Sequence, residues 1–503
     1  MTPDRNVITV EHTDRTFHRY KILAVLLVPV AMSLIQISSI NVALSSIGVG
    51  LEASSSHLQW VLSGYALSFG VALVPAGRLG DVFGRGSLHI AGLALFTLAS
   101  LGCGLATDSF MLNGARLLQG LGAGLFNPQT MGMIQQYFSG QGRARAFSLL
   151  GMVVSVSVAI GPVFAGSIIR TIGAEDGWRW SFLLMVPMGL AGILLALRWL
   201  PFETERAHHA ARRVTADGGA RRQGARSHVD LDPVGALLLT LAILGVMLPF
   251  TLKSGGLVWA LVPAALGLLW VWVRWETWHK ARGGDPMVDL ALFRHSSFTM
   301  GTATSAVQFL GATSIFVTVA MYLQNGLHAS AFAAGLIGLP NAAASAWSAM
   351  WSGRHALRMG RPIIIGGLLL CTLGVLGSLV VVWAVDTWQV SFWWLLLTLG
   401  LSGLGVGAVG SANQTLSLQD VPVHSGGTAG GVKSAAERTA TAIGNAMITA
   451  VYFGVTASHG AAKGCMAAYA VIVVVLLAAA GLAVRDRQLN GNGIHWPAGA
   501  VAR

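Results

Sequence analysis

Arg116 and the trio Lys433, Glu437 and Arg438 are ionisable side chains set inside stretches otherwise apolar enough to cross a bilayer. Arg116 lies about eight residues into its stretch, where an arginine without a partner costs roughly 2.5 to 3.5 kcal/mol on insertion scales. Either a function repays that cost, or the side chain snorkels to a surface or ties helices together. Glu437 is a carboxylate well inside a span, so it could take up and release a proton, which makes it the candidate proton carrier. Lys433 stands one turn earlier on the same helix face and Arg438 projects elsewhere. An equally open reading makes the trio structural, with Lys433 reaching the headgroups and Glu437 pairing with it. The polar parts of the chain hold no nucleophile and base arrangement, phosphate-cradling loop or metal cluster, so neither an enzyme, a metal site nor a cofactor is expected. Cys103, Cys371 and Cys465 all fall in apolar runs and read as small core residues.

The stretches that must position these side chains follow from composition. Of 503 residues, 54% are hydrophobic and 10% charged, with mean hydropathy +0.65, too few charges to cover a soluble protein of this size. The net charge of +12 falls in short segments between apolar runs, with no nucleic-acid motif, so it reports topology rather than a nucleic-acid partner. At about 20 residues per span, fourteen transmembrane helices are expected. They start near Ile22, Leu58, Leu88, Ser109, Ala144, Trp180, Pro233, Leu257, Phe298, Ala331, Pro362, Ser391, Gly430 and Lys463.

With the N-terminus in the cytoplasm, alternate loops carry Arg78, Arg85, Arg143, Arg145, the arginines from 206 to 226, Lys280, Arg282, Arg294, Arg354, Arg358 and Arg361, while the other side keeps Arg170, Arg179, Lys253 and Lys463. That asymmetry puts both termini in the cytoplasm of a multi-pass cell-membrane protein. The expected organisation is a cytoplasmic tail (1–21), a six-helix half (22–200), an Arg-rich linker (201–232), two inserted helices (233–278), a second six-helix half (279–484) and a cytoplasmic tail (485–503).

Two internal echoes support the paired halves. Gly77 to Gly86, GRLGDVFGRG, returns 276 positions later as Gly353 to Pro362, GRHALRMGRP, with Leu357 where Asp81 stands. Gly77, Gly80 and Gly84 permit a sharp turn and close packing, and Asp81 and Arg85 place opposite charges four residues apart. The run Gln119 to Gly124 returns 283 positions later as Ser402 to Gly407. Two six-span halves in parallel repeat, with a site near the midplane between them, form the plan of many secondary transporters.

These residues resemble the major facilitator superfamily and, within it, the fourteen-spanner drug/proton antiporter branch. Gly77, Leu79, Gly80, Asp81, Gly84 and Arg85 match the signature between spans two and three, with Val82 and Gly86 where bases are usual. Arg116, Gln119, Gly120 and Gly122 match the fourth-span signature. Gly161, Pro162 and Gly166 match the antiporter signature of span five, with Ser157 and Ala165 replacing glycines. The resemblance implies an all-α polytopic fold of two six-helix halves plus two inserted helices. It implies a role for Arg116 in proton coupling, for Gly161-Pro162 in favouring exchange over leak, and for Asp81 in capping a helix of the other half. Glu437, Arg438, Ala442 and Gly444 partly follow a family run in span thirteen. The branch's span-one acid is replaced by Gln36, which cannot carry a proton.

Gln36, Asn41, Tyr65, Gln308, Asn341 and Asn413 are the polar groups expected in cavity-lining spans, each also readable as an interhelical hydrogen bond. The expected function is proton-coupled export of hydrophobic or amphiphilic drugs or natural products by a monomer. The lost acid leaves neutral and anionic cargo open. A metabolite facilitator or importer on the same fold is the alternative, and a non-transporting membrane sensor a further one.

Overall fold

The computed structural model describes residues 7–9, 16–173, 175–202, 230–251 and 256–492. Most of the expected linker, residues 203–229, and the last residues of the C-terminal tail lie outside the described residues. The first group of helices is α1 (Arg19–Gly50), α2 (Ser55–Phe83), α3 (Arg85–Gly104), α4 (Ser109–Tyr137), α5 (Gly140–Ile172), α6 (Gly177–Leu183) and α7 (Met185–Trp199). Leu184 alone separates α6 from α7 and keeps helical backbone angles, so the two act as one rod. Next come α8 (Pro233–Thr251) and α9 (Leu261–Ala281). The last group is α10 (Ser296–Ala312), α11 (Ser314–Met321), α12 (Ala331–Met359), α13 (Arg361–Trp388), α14 (Leu395–Ser417), α15 (Gly426–His459) and α16 (Ala461–Asn490).

Joining α6 with α7 and α10 with α11 leaves fourteen helical units among the described residues, of which 12 are long and apolar enough to cross a membrane. The two outside that set, α4 and α12, are as long as α2 at 29 residues. Their apolar average is lowered by side chains such as Arg116, Gln119, Gln129 and Asn341, which face protein rather than lipid. One feature departs from an all-helical chain: β1 (Val7–Thr9) pairs antiparallel with β2 (Thr16–His18), Ile8 opposite Phe17, just before α1. β-branched and aromatic residues favour that extended pairing.

Both groups are built alike. In the first, α4 packs on α2 and α3 while α1 packs on α5; in the second, α14 packs on α12 and α13 while α10 packs on α15. The glycine echo explains the match. Gly120 and Gly124 lie against α2 at Tyr65 and Phe69, and Gly122 between them lies against Gly92 and Phe96 of α3. Gly403 and Gly407 lie against Asn341 and Ser345 of α12, and Gly405 between them against Gly367 and Cys371 of α13. Alternate glycines therefore let one helix approach two neighbours at backbone distance, the way membrane helices gain packing when lipid is as apolar as leucine.

The hairpin echo is equally literal. Gly84, at φ 107°, is the single residue between α2 and α3, and Gly360, at φ 62°, is the single residue between α12 and α13. A side chain would strain either left-handed turn. The two groups meet along α2 against α15 and α5 against α12, and the inserted α8 lies on α9, α2 and α15.

Candidate substrate and coupling site

The end of α2 and the start of α15 form the most elaborately bonded junction between the halves. Gly427 and Gly77 approach so closely that a Cβ on either would meet backbone of the other. That closeness lets Asp81 reach the first turn of α15, whose own N-cap residue, Ser425, makes no side-chain cap. Asp81 Oδ1 accepts from the Gly427 amide at 3.1 Å, and Oδ2 accepts from the Thr428 amide and hydroxyl, each at 2.8 Å. A carboxylate on unpaired amides at a helix N-terminus is favourable by both hydrogen bonding and the helix dipole.

Arg85, one turn on, holds the cap in place. Its guanidinium donates to Asp81 Oδ1 at 2.9 and 2.6 Å, to the Gly132 carbonyl at 2.9 Å, to Gln136 at 3.1 Å and to the Val423 carbonyl at 2.5 Å. The side chains of Asp81 and Arg85 are only 4% and 6% exposed. Gly80 leaves room for Gln129, which donates to the Ala76 carbonyl at 2.7 Å. In the second hairpin Leu357 stands in the acid's place and offers no such cap. Its Arg361 turns instead to Asp486 of α16, within its own half, at 2.8 Å. On the α5 and α12 side the halves are joined by hydroxyls and carbonyls: Gln141 donates to the Gly353 and Arg354 carbonyls at 3.2 and 3.0 Å, and Ser155 meets Ser345 at 2.8 Å.

Arg116 sits about 10 Å along α4 at 1.5 Å per residue and is buried. Nε donates to the Val61 carbonyl at 2.9 Å and a terminal nitrogen to Gln119 at 2.6 Å, while Gln119 donates onward to Ser100 at 2.8 Å. The guanidinium lies over the Tyr65 ring, 4.4 Å from its centroid. No ion pair to Arg116 occurs among the described residues. A carbonyl, an amide and an aromatic face therefore offset its charge, and it does not snorkel.

The α15 trio divides. Lys433, buried, donates to the Ser417 hydroxyl at 2.8 Å and toward the Asn413 carbonyl at 3.4 Å, so it faces α14 rather than headgroups. Glu437, also buried, accepts from Ser305 of α10 at 2.5 Å and forms no ion pair within 4.0 Å with Lys433 among the described residues. The direct Lys433–Glu437 pair anticipated from their spacing is therefore not made, because each side chain finds a hydroxyl on a different neighbouring helix. Arg438 turns the other way, half-buried, its guanidinium 5.1 Å from the Phe69 ring of α2.

Gly161 packs against Ile35 and Ser38 of α1, where a Cβ would collide with both, and its carbonyl accepts from Ser39 at 2.8 Å. Pro162 follows within the unbroken α5, and Gly166 nears Val42. The α1–α5 seam is thus a close helix contact within the first half. Of the cavity candidates, Asn341 donates to the Leu399 carbonyl and Ser402, both at 2.9 Å, and Asn413 donates to the Gly301 carbonyl at 2.8 Å. These two tie helices together. Gln308 is buried on α10 and Asn41 is exposed on α1. Gln36 and Tyr65 are buried with the Gln36 amide and the Tyr65 hydroxyl lacking a hydrogen-bond partner among the described residues. Ser305, Ser417, Thr428, Phe69 and Asp486 do not stand out in the sequence, since a serine or phenylalanine in an apolar helix carries no local signal of the partner it will meet.

A family model described as Major Facilitator Superfamily matches residues 26–445. Over 450 residues the chain is 31% identical to a probable actinorhodin transporter of Streptomyces coelicolor, covering 88% of this chain and 74% of the relative. It is 27% identical to the tetracenomycin C resistance and export protein of Streptomyces glaucescens, covering 84% and 74%, and 29% identical to the multidrug resistance protein Stp of Mycobacterium tuberculosis, covering 82% and 72%. Among solved structures, the proton:xylose symporter XylE aligns at TM-score 0.63 with 15% identity, over 91% of this chain and 94% of that one. The human organic anion transporter MFSD10 aligns at 0.64 with 13% identity, over 92% and 99%. With its paired halves, its glycine repeats and this match, the chain belongs to the Major Facilitator Superfamily of transporters and is a multi-pass membrane protein, not an enzyme.

Proposed function

We propose that the chain is a proton-coupled exporter of hydrophobic or amphiphilic compounds, of the fourteen-spanner antiporter type, working by alternating access. The Asp81 cap on α15 carries the reading: it ties one half to the other at a single end of the bundle, as a gate closed on the cytoplasmic side would require. The relatives named for antibiotic resistance and export support the direction. In this reading α4 and α12 cross the membrane with the other twelve units, both termini are cytoplasmic, and a monomer transports. Residues 22–200 and 279–484 rock around a midplane site, with 233–278 as an inserted pair beside the α2–α15 seam. Arg116, Glu437 and Arg438 are the coupling charges and Gly161-Pro162 a seam that limits leak.

Gln36 favours a second reading, a metabolite facilitator or importer, because it replaces a proton-carrying acid with an amide. Accumulation of a fluorescent or radiolabelled drug in cells expressing the chain, with and without a protonophore, separates them. Export lowers accumulation and the protonophore abolishes the effect. Raised accumulation indicates uptake, and no change for any compound indicates a sensor.

A further inference from the structure

The charges between the two ends of the six-helix halves do not balance. Arg116, Lys433 and Arg438 are three cations, and Glu437 is the one carboxylate set among them. Lys433 and Glu437 are turned into their own half, toward α14 and α10, and are bonded there. Arg116 and Arg438 belong to opposite halves, yet both come to the same face of α2. Arg116 lies 4.4 Å from the Tyr65 ring centroid, Tyr65 and Phe69 are 6.0 Å apart, and Arg438 lies 5.1 Å from the Phe69 ring. The row therefore runs from one half to the other, with Arg438 about 18 Å along α15 at 1.5 Å per residue.

Within this row the bonded and unbonded groups differ in kind. Arg116 spends its donors on Val61 and Gln119, so it is fixed in place. Arg438 makes no hydrogen bond or ion pair among the described residues, and its Nε is buried without an acceptor. The Tyr65 hydroxyl, on a residue 2% exposed, is likewise buried without a partner. A guanidinium N–H and a hydroxyl buried without an acceptor are costly unless something accepts from them. What both lack is an acceptor, and an anion flanked by aromatic surface supplies it. Arginine binds carboxylates through charge-assisted, often bidentate hydrogen bonds, and its own cation can remain stacked on a ring while it does so.

We propose that the Arg116–Tyr65–Phe69–Arg438 row binds an organic aromatic anion, its carboxylate or phenolate accepting from Arg438 and the Tyr65 hydroxyl and its ring lying along Tyr65 and Phe69. As cargo specificity this rests on the exporter reading above; as a binding site it stands by itself.

The test is equilibrium dialysis of the purified full-length chain in nanodiscs against three probes of one ring system: naphthoate, its neutral amide, and a naphthylmethylammonium cation. Naphthoate should bind about tenfold more tightly than the amide, the scale of one charge-assisted hydrogen bond in a dry site, with the cation weakest. Arg438→Gln should erase that preference, Arg438→Lys should keep part of it, and Tyr65→Phe should weaken naphthoate binding a few-fold without changing amide binding. Equal binding of all three probes, tightest binding of the cation, or a preference that survives Arg438→Gln would each overturn the proposal. If Arg438→Gln does not yield folded protein, the ranking of the probes on the unaltered chain and the Tyr65→Phe result decide. Efflux that ignores a protonophore while the ranking holds sinks the proton coupling alone, and protonophore-sensitive efflux without the ranking sinks the anion site alone.

Discussion

Asp81 and Thr428, 347 residues apart in the chain, meet through two hydrogen bonds of 2.8 Å, one from the Thr428 amide and one from its hydroxyl. A helix in one half is thereby capped by a carboxylate from the other. Charge at a helix N-terminus is worth about 0.3 to 1 kcal/mol when exposed and up to about 2 when partly buried. That is enough to shift two conformers by about tenfold, since 1.4 kcal/mol is one decade.

Asp81→Asn should therefore insert and fold normally but transport slowly, because asparagine keeps an acceptor and loses the charge. Surface yield and initial efflux rate, measured on the same cells, check this. Full activity would reduce the hairpin to a topological turn.

Asp486→Asn should behave differently. Arg361 and Asp486 are 1% and 5% exposed, and removing one member of a buried pair costs about 3 to 5 kcal/mol. The variant should unfold at markedly lower temperature in detergent. A double variant, Arg361→Met with Asp486→Leu, should recover much of the loss, which the single change cannot.

The repeated glycines predict matched effects in the two halves. A Cβ at Gly122 would lie 2.6 Å from the Phe96 amide nitrogen, and one at Gly405 2.5 Å from that of Cys371, while Gly410 has nothing within 4 Å. Overpacking costs about 1 to 3 kcal/mol, so Gly122→Ala and Gly405→Ala should lower thermal stability alike, with Gly410→Ala close to neutral. Unequal behaviour of the first two would argue against equivalent packing.

Glu437→Gln should flatten the pH dependence of export, because an amide cannot take up and release a proton. Ser305→Ala keeps the carboxyl and removes its 2.5 Å donor, so it should retain a pH-dependent export that Glu437→Gln loses. An unchanged profile in Glu437→Gln takes that residue out of the coupling scheme and leaves the trio structural.

Much of this was written in the chain. Apolar length set the helical units, because in lipid every backbone group must be satisfied within its own segment. Repeats such as Gly84 with Gly360 and Gly122 with Gly405 marked the equivalent halves, because a one-residue turn and a backbone contact both demand glycine wherever they recur. Arg116 and Glu437 were conspicuous, since charge inside an apolar run is rare for an energetic reason.

What the chain could not say was which groups would meet. The loss of an acid at Leu357 is visible in the sequence, but its replacement for Arg361 by Asp486, 125 residues away, is not. The spacing of Lys433 and Glu437 pointed to a pair, and tertiary packing gave each a separate hydroxyl instead. Arg116 and Arg438 share the Tyr65–Phe69 face only because α2 lies between α4 and α15. Helix periodicity sets the direction in which a side chain points along its own axis, and only the packing of helices from both halves decides what it finds there.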